Sequence, residues 1–68
     1  MDDIEELRMI MSAYKANSKV VGALMNRTQR TIHSYRNGER KIPKWFIGEL
    51  ERKLEEWKVE RDNRHLWM

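Results

Sequence analysis

The chain has 68 residues, a formal net charge of +3 and no cysteine. A chain of this length accommodates one domain, and a domain of about 60 residues buries only about 60% of its unfolded surface, so its stability is marginal. Without cysteine, neither disulfides nor thiolate metal sites can add to that stability. No apolar run approaches the roughly 18 residues that a membrane span requires, and the acidic start does not resemble an export signal. We therefore expect a cytoplasmic protein that does not associate with membranes.

Charge is distributed unevenly along the sequence. Residues 15–44 hold eight basic side chains and one acidic side chain, Glu39, for a charge of +7, whereas the rest of the chain carries −4. Such a basic block attracts polyanions, because each phosphate that it neutralises releases condensed counterions. Solubility alone does not require the two signs to be segregated. The pattern therefore favours nucleic acid as a partner.

Apolar residues repeat at helical spacing, and no alternating run predicts a strand. We therefore predict an all-α fold, a compact bundle of about four helices with a long C-terminal helix. The predicted helices are residues 3–15, 18–25, 28–37 and 44–62. Asp2 or Asp3 is expected to cap the first helix, Asn17 or Ser18 the second, and Thr28 the third.

Two turns are expected to bound the third helix. Asn26 tolerates the left-handed backbone that a tight turn between the second and third helices needs, and Gly38 supplies the positive φ that ends the third helix. Ile32 and Tyr35 are expected to face inward. The polar and basic side chains expected on the outward face are Gln29, Arg30, His33 and Arg36.

The fourth helix carries an apolar stripe whose first half, including Trp45, is expected to pack on the other helices. Leu54 and Trp57 continue the stripe at coiled-coil spacing and are expected to project past the body of the domain. The core is therefore assigned to residues 1–52, and residues 53–68 to an extension that forms a dimer. The expected dimer contacts are Leu54, Trp57, Leu66, Trp67 and Met68.

A short helix, a tight turn and a second helix with a basic outward face is typical of the helix-turn-helix. The segment TQRTIHSYRNGERKIP, residues 28–43, resembles the recognition helix and following loop of the Cro/repressor family of lambdoid phages, which is XRE-like. Val21, Gly22 and Asn26 fall where that family has Leu, Ala and the turn Gly. The resemblance covers about residues 17–50. It implies a DNA-binding transcriptional regulator that acts as a homodimer on an inverted-repeat operator.

The resemblance also implies which residues touch DNA. Gln29 and Arg30 take the base-reading positions, with Thr31 beside them and His33 and Ser34 one turn on. The chemistry of the first two agrees, because Gln bonds adenine and Arg bonds guanine through two hydrogen bonds each. The expected phosphate contacts are Ser18, Lys19, Arg27, Thr28, Arg36, Asn37, Arg40, Lys41 and Lys44.

Three positions depart from the family pattern. Ser18 stands where the family usually has Gln, which contacts a phosphate, so that contact is lost or made through water. Gly22 replaces Ala, at a cost of about 0.5–1 kcal/mol in helix propensity, but still provides a small residue where two helices cross. Arg36 replaces a common Glu, and the added positive charge should strengthen nonspecific binding to DNA.

Nothing in the sequence predicts an enzyme or a cofactor. His33 and Ser34 are adjacent on a helix and point about 100° apart, so they form no nucleophile and base pair. Two distant histidines without cysteine make a poor metal site. A small repressor of a phage or mobile element, Cro-like or anti-CRISPR-associated, is the favoured reading. The alternatives are an interaction module, such as an antitoxin or inhibitor that uses the fourth helix and the tail, and, less favoured, an RNA-binding protein.

Overall fold

A computed structural model describes the backbone of residues 2–67 and the side chains of residues 2–62. It contains four helices, which are α1 (Asp3–Tyr14), α2 (Ser18–Met25), α3 (Gln29–Arg36) and α4 (Lys44–Trp67). The predicted all-α fold with four helices is confirmed, and the part of the chain that the structure describes contains no strand. The fourth helix continues past its predicted end at residue 62 as far as Trp67. None of these helices, within the described range, is both long enough and apolar enough to cross a bilayer.

Side-chain caps fix where the three short helices begin. Asp2, Asn17 and Thr28 each accept a hydrogen bond from the backbone N–H three residues further on, at 2.8, 2.9 and 3.1 Å. Each such bond satisfies a donor that the first turn of a helix leaves free. Thr28 and Asn37 are therefore caps of α3 rather than members of it.

Residues with a left-handed backbone end α1 and α2, and a third such residue lies in the turn after α3. Lys15 (φ 55°) closes α1, Asn26 (φ 56°) closes α2, and Gly38 (φ 78°) follows α3. The predictions for Asn26 and Gly38 are confirmed. Lys15 was predicted as the last residue of the first helix and is instead its left-handed cap.

The four helices enclose one hydrophobic core. Tyr35 of α3 meets Phe46 of α4 edge to face, with ring centroids 5.1 Å apart. The inward positions predicted for Ile32 and Tyr35 are confirmed. The buried apolar residues are Leu7, Met11, Ala16, Val21, Met25, Ile32, Tyr35, Ile42, Phe46, Ile47, Leu50 and Leu54.

Two predictions for α4 are wrong. Leu54 is 0% exposed, so it does not project past the body, and Trp45 is 56% exposed rather than part of the core. The reason is the rotation of α4, which buries Phe46, Leu50 and Leu54 at spacings of four residues and turns Trp45 outward.

The residues beyond Leu54 on α4 vary in exposure. Trp57 is half-buried against the core, and the Arg61 guanidinium lies 4.8 Å from the centre of its ring. Val59 is 50% exposed. Leu66, Trp67 and Met68, predicted as dimer contacts, lie outside the residues whose side chains the structure describes.

Candidate nucleic-acid interface

The turn between α2 and α3 is closed by backbone hydrogen bonds. The Arg27 N–H donates to the Gly22 carbonyl at 2.8 Å, and the Asn26 N–H donates to the Ala23 carbonyl at 3.4 Å. A Cβ at Gly22 would lie 2.7 Å from the Arg27 carbonyl oxygen. Only glycine fits there without a backbone shift. Gly22 therefore permits the close approach that sets how α3 leaves α2.

α3 turns its polar side chains away from the core. Gln29, Arg30 and His33 are exposed, whereas Thr31 and Ser34 are half-buried at the edge of the same face. The Thr31 hydroxyl shares a hydrogen bond with the Thr28 hydroxyl at 2.9 Å, so the methyl group is its free part. The structure thus places Gln29, Arg30 and His33 on the exposed side of α3 and leaves Thr31 and Ser34 at its half-buried edge.

A groove of about 370 Å³ runs between α3 and the loop that follows it. The loop is held in place because the N–H groups of Glu39 and Arg40 both donate to the Ser34 carbonyl, at 2.9 and 3.3 Å. This fold-back places Arg40 in the same groove as Arg30. The residues that line the groove, called here the α3 groove, are Thr28, Arg30, Thr31, Ser34, Glu39 and Arg40.

A second groove of about 440 Å³ opens where the end of α1 meets the start of α2. Three of its lining side chains are cations and none is a carboxylate. The α2 N-terminus adds its partial positive charge. The residues that line it, called here the α1–α2 groove, are Arg8, Met11, Ser12, Lys15, Ala16, Asn17 and Arg36.

Arg8 was given no role from the sequence, because it sits among the acids of α1. Lys15 was counted in the basic block of residues 15–44 but was not among the expected phosphate contacts. The spacing of Arg8, Ser12 and Lys15, four and then three residues, places them on one face of α1 and is the signal that could have found them.

The outward position predicted for Arg36 is wrong, and Ser18, an expected phosphate contact, is buried. Ser18 is 2% exposed, and its Oγ accepts a hydrogen bond from Arg36 Nη1 at 2.9 Å. Arg36 lies one turn after Ile32 and therefore points toward α2. Its carbonyl accepts from Arg8 Nη2 at 2.7 Å, and its buried Nε has no hydrogen-bond partner among the described residues. The Arg36 side chain thus extends from α3 to the α1–α2 groove, which it lines together with Arg8 and Lys15.

The other cations predicted to hold phosphates are at the surface. Lys19 lies in the first turn of α2 and Arg27 in the turn after that helix. Lys41 lies in the loop and Lys44 begins α4, and all four are exposed. Asn37 is exposed at the end of α3. These side chains surround α3, where contacts to a nucleic-acid backbone would position it without reading sequence.

No cluster of three potential metal-ligating side chains occurs among the residues that the structure describes. Comparison with known protein families finds no match, and comparisons with curated proteins and with solved structures find none either.

Proposed function

We propose that the protein is a sequence-specific double-stranded DNA-binding transcriptional regulator, with α2 and α3 as a helix-turn-helix and α3 as the recognition helix. One observation carries the proposal: the helix that exposes Gln29, Arg30 and His33 is flanked by two grooves lined with cations. Side chains of these types read base edges in the major groove, and cations beside them hold the phosphates.

The proposed biological unit is a homodimer on an inverted-repeat operator. A single domain this small makes few base contacts, and two recognition helices would reach successive major grooves about 34 Å apart. With Leu54 in the core, the described apolar residues beyond it on α4 that remain for a dimer contact are Trp57 and the exposed Val59. A small repressor of a phage or mobile element, Cro-like or anti-CRISPR-associated, fits this arrangement.

The test is selection of bound sequences from a library of random duplexes, followed by binding measurements at two salt concentrations. Arg30→Ala is compared with Arg52→Ala, which removes the same charge from α4, where Arg52 pairs with Glu49. We expect the wild type to enrich a sequence motif. A bidentate Arg–guanine contact is worth about 1–3 kcal/mol, so Arg30→Ala should weaken binding to the selected duplex by roughly 5- to 150-fold.

Two results would contradict the proposal. The first is a wild-type protein that enriches no sequence. The second is an Arg30→Ala variant that binds the selected duplex as tightly as Arg52→Ala does, since this would leave only a nonspecific attraction between a basic protein and a polyanion.

A second candidate function is a protein-interaction module that uses α4. The observation that favours it is an open groove of about 360 Å³ on the acidic part of α4, lined by Glu55, Glu56, Val59 and Glu60. Its partner would carry basic side chains around an apolar contact. Failure of DNA binding together with copurification of such a partner, lost in Val59→Asp, would favour this function.

A further inference from the structure

Glu39 is the one carboxylate in the basic block of residues 15–44, and it lines the α3 groove beside Arg30 and Arg40. Its side chain is exposed. The ion pairs within residues 2–62 are Arg52 with Glu49 and Arg61 with Asp62, so neither groove arginine forms an ion pair with Glu39. The α3 groove therefore presents a free acceptor next to two strong donors.

Local structure does not explain a negative charge at this position. Glu39 follows the C-terminal end of α3, where the helix dipole is negative and disfavours a carboxylate. The loop is held by the backbone N–H of Glu39, which donates to the Ser34 carbonyl at 2.9 Å, and any residue other than proline can make that bond. The fold thus uses the backbone of Glu39 and leaves its side chain available.

Phosphates and base edges offer different hydrogen-bond partners to a carboxylate in the α3 groove. Phosphate oxygens accept hydrogen bonds, so a carboxylate beside them only repels. Base edges in the major groove offer acceptors on every purine and on thymine, but their donors are confined to the exocyclic amino groups of cytosine N4 and adenine N6. An ionised Glu39 can therefore be satisfied by DNA only at one of those two amino groups.

We propose that Glu39 is a specificity-determining residue, which accepts a hydrogen bond from the exocyclic amino group of a cytosine or adenine close to the base that Arg30 reads. This inference rests on the proposed function. At a thymine or guanine the carboxylate faces an acceptor oxygen. The wrong base therefore loses the hydrogen bond and adds a repulsion between two acceptors. Because it also repels phosphates, Glu39 restrains nonspecific binding.

The experiment repeats the duplex selection with the wild type, Glu39→Ala, Glu39→Gln and the control Glu51→Ala. Glu51→Ala makes the same change in charge on the exposed surface of α4. We expect the wild type and Glu51→Ala to require cytosine or adenine at one position next to the guanine read by Arg30. Glu39→Ala should lose that requirement, whereas Glu39→Gln, which keeps a carbonyl acceptor, should retain a preference for an amino group.

Base analogues then separate the two possible sources of the amino group. The selected cytosine is replaced by 2-pyrimidinone, or the selected adenine by purine, so that only the amino group is removed. The wild type should lose about tenfold in affinity, within the range of a good base contact, and Glu39→Ala should lose little. All four proteins are checked for folding by circular dichroism.

Two different failures can be distinguished. If the wild type enriches a motif and Glu39→Ala enriches the same motif with equal discrimination, Glu39 does not read a base and the inference is wrong while the proposed function stands. The same holds if both Glu39 variants bind every duplex more tightly by one common factor, which would indicate repulsion alone. If the wild type enriches nothing, the proposed function itself fails, and the inference fails with it.

Discussion

Two glycines lie inside helices, and their surroundings differ. A Cβ at Gly22 would meet the Arg27 carbonyl oxygen at 2.7 Å, whereas a Cβ at Gly48 would have no neighbour within 4 Å. Alanine gains about 0.5–1 kcal/mol over glycine in a helix interior. At Gly22 that gain should be outweighed by overpacking against the backbone, which costs typically 1–3 kcal/mol.

We therefore expect Gly22→Ala to lower the free energy of unfolding and Gly48→Ala to raise it by up to about 1 kcal/mol. Urea unfolding followed by circular dichroism measures both changes. A Gly22→Ala variant as stable as Gly48→Ala would show that the turn between α2 and α3 has room for a methyl group, contrary to this account.

Lys15 holds a left-handed backbone, with φ 55°, at the rim of the α1–α2 groove. A residue with a Cβ loses about 1 kcal/mol in that conformation relative to glycine. Such strain is retained where the side chain has a use. We expect Lys15→Gly to be more stable to urea and to bind duplex DNA more weakly at low salt. A variant that gains stability and keeps the full affinity would remove Lys15 from the proposed interface.

At the scale of single residues, the sequence was informative where local rules decide. The caps at Asp2, Asn17 and Thr28 and the left-handed Asn26 follow from backbone chemistry within four residues. The bond between Arg36 and Ser18 could not be predicted, because it depends on how α3 is rotated against α2. Helical spacing from Gln29 and His33 suggested an outward Arg36, but its position one turn after the buried Ile32 decides its direction.

At the scale of elements, α4 is tied to α1 by a hydrogen bond in which the Tyr14 hydroxyl donates to Glu55 Oε2 at 2.6 Å. This bond to Glu55, with smaller effects from burial and the charges of Glu55 and Glu51, raises the pKa of Tyr14 above its ordinary value of 10.0. A raised pKa means that the contribution to stability is complete below the ordinary tyrosine pKa and is lost as the pH rises through the folded value.

We expect Tyr14→Phe to unfold at a lower urea concentration than the wild type at neutral pH. Above the pKa of Tyr14 the difference should vanish or reverse, because the wild-type phenolate then faces the Glu55 carboxylate. Urea titrations of both proteins at neutral pH and above the pKa of Tyr14 measure the difference in stability. A stability difference that does not depend on pH would show that packing of the ring, rather than the hydroxyl, joins the two helices.

The presence and the start of α4 were predictable, but its end and its rotation were not. Three consecutive apolar residues, Trp45, Phe46 and Ile47, leave the phase of the stripe ambiguous when only periodicity is considered. Packing against the other helices selects Phe46 and Ile47 and excludes Trp45. The same choice draws Leu54 into the core, which is why the sequence misplaced it at a dimer surface.

At the scale of the whole molecule, the basic block and the acidic remainder should give DNA binding a steep dependence on salt. Each phosphate contact contributes about −0.9 to the slope of log affinity against log salt concentration. We expect Lys44→Ala to make this slope shallower by about 0.9, the contribution of one phosphate contact, and to weaken binding to all duplexes by a similar factor. Lys58→Ala, an exposed lysine on α4, is the control and should leave the slope unchanged. Equal slopes for wild type and Lys44→Ala would place α4's start away from the DNA.

The most direct test of the central claim, that the outer side of α3 is the DNA interface, is an NMR titration of the ¹⁵N-labelled protein with its selected duplex. We expect the largest amide shift changes at Gln29, Arg30 and His33, with further changes in the loop at 38–44 and around Lys15. Residues 55–62 of α4 should change little beyond the contribution of a dimer contact at Val59. Changes confined to α4, with α3 unaffected, would contradict the account.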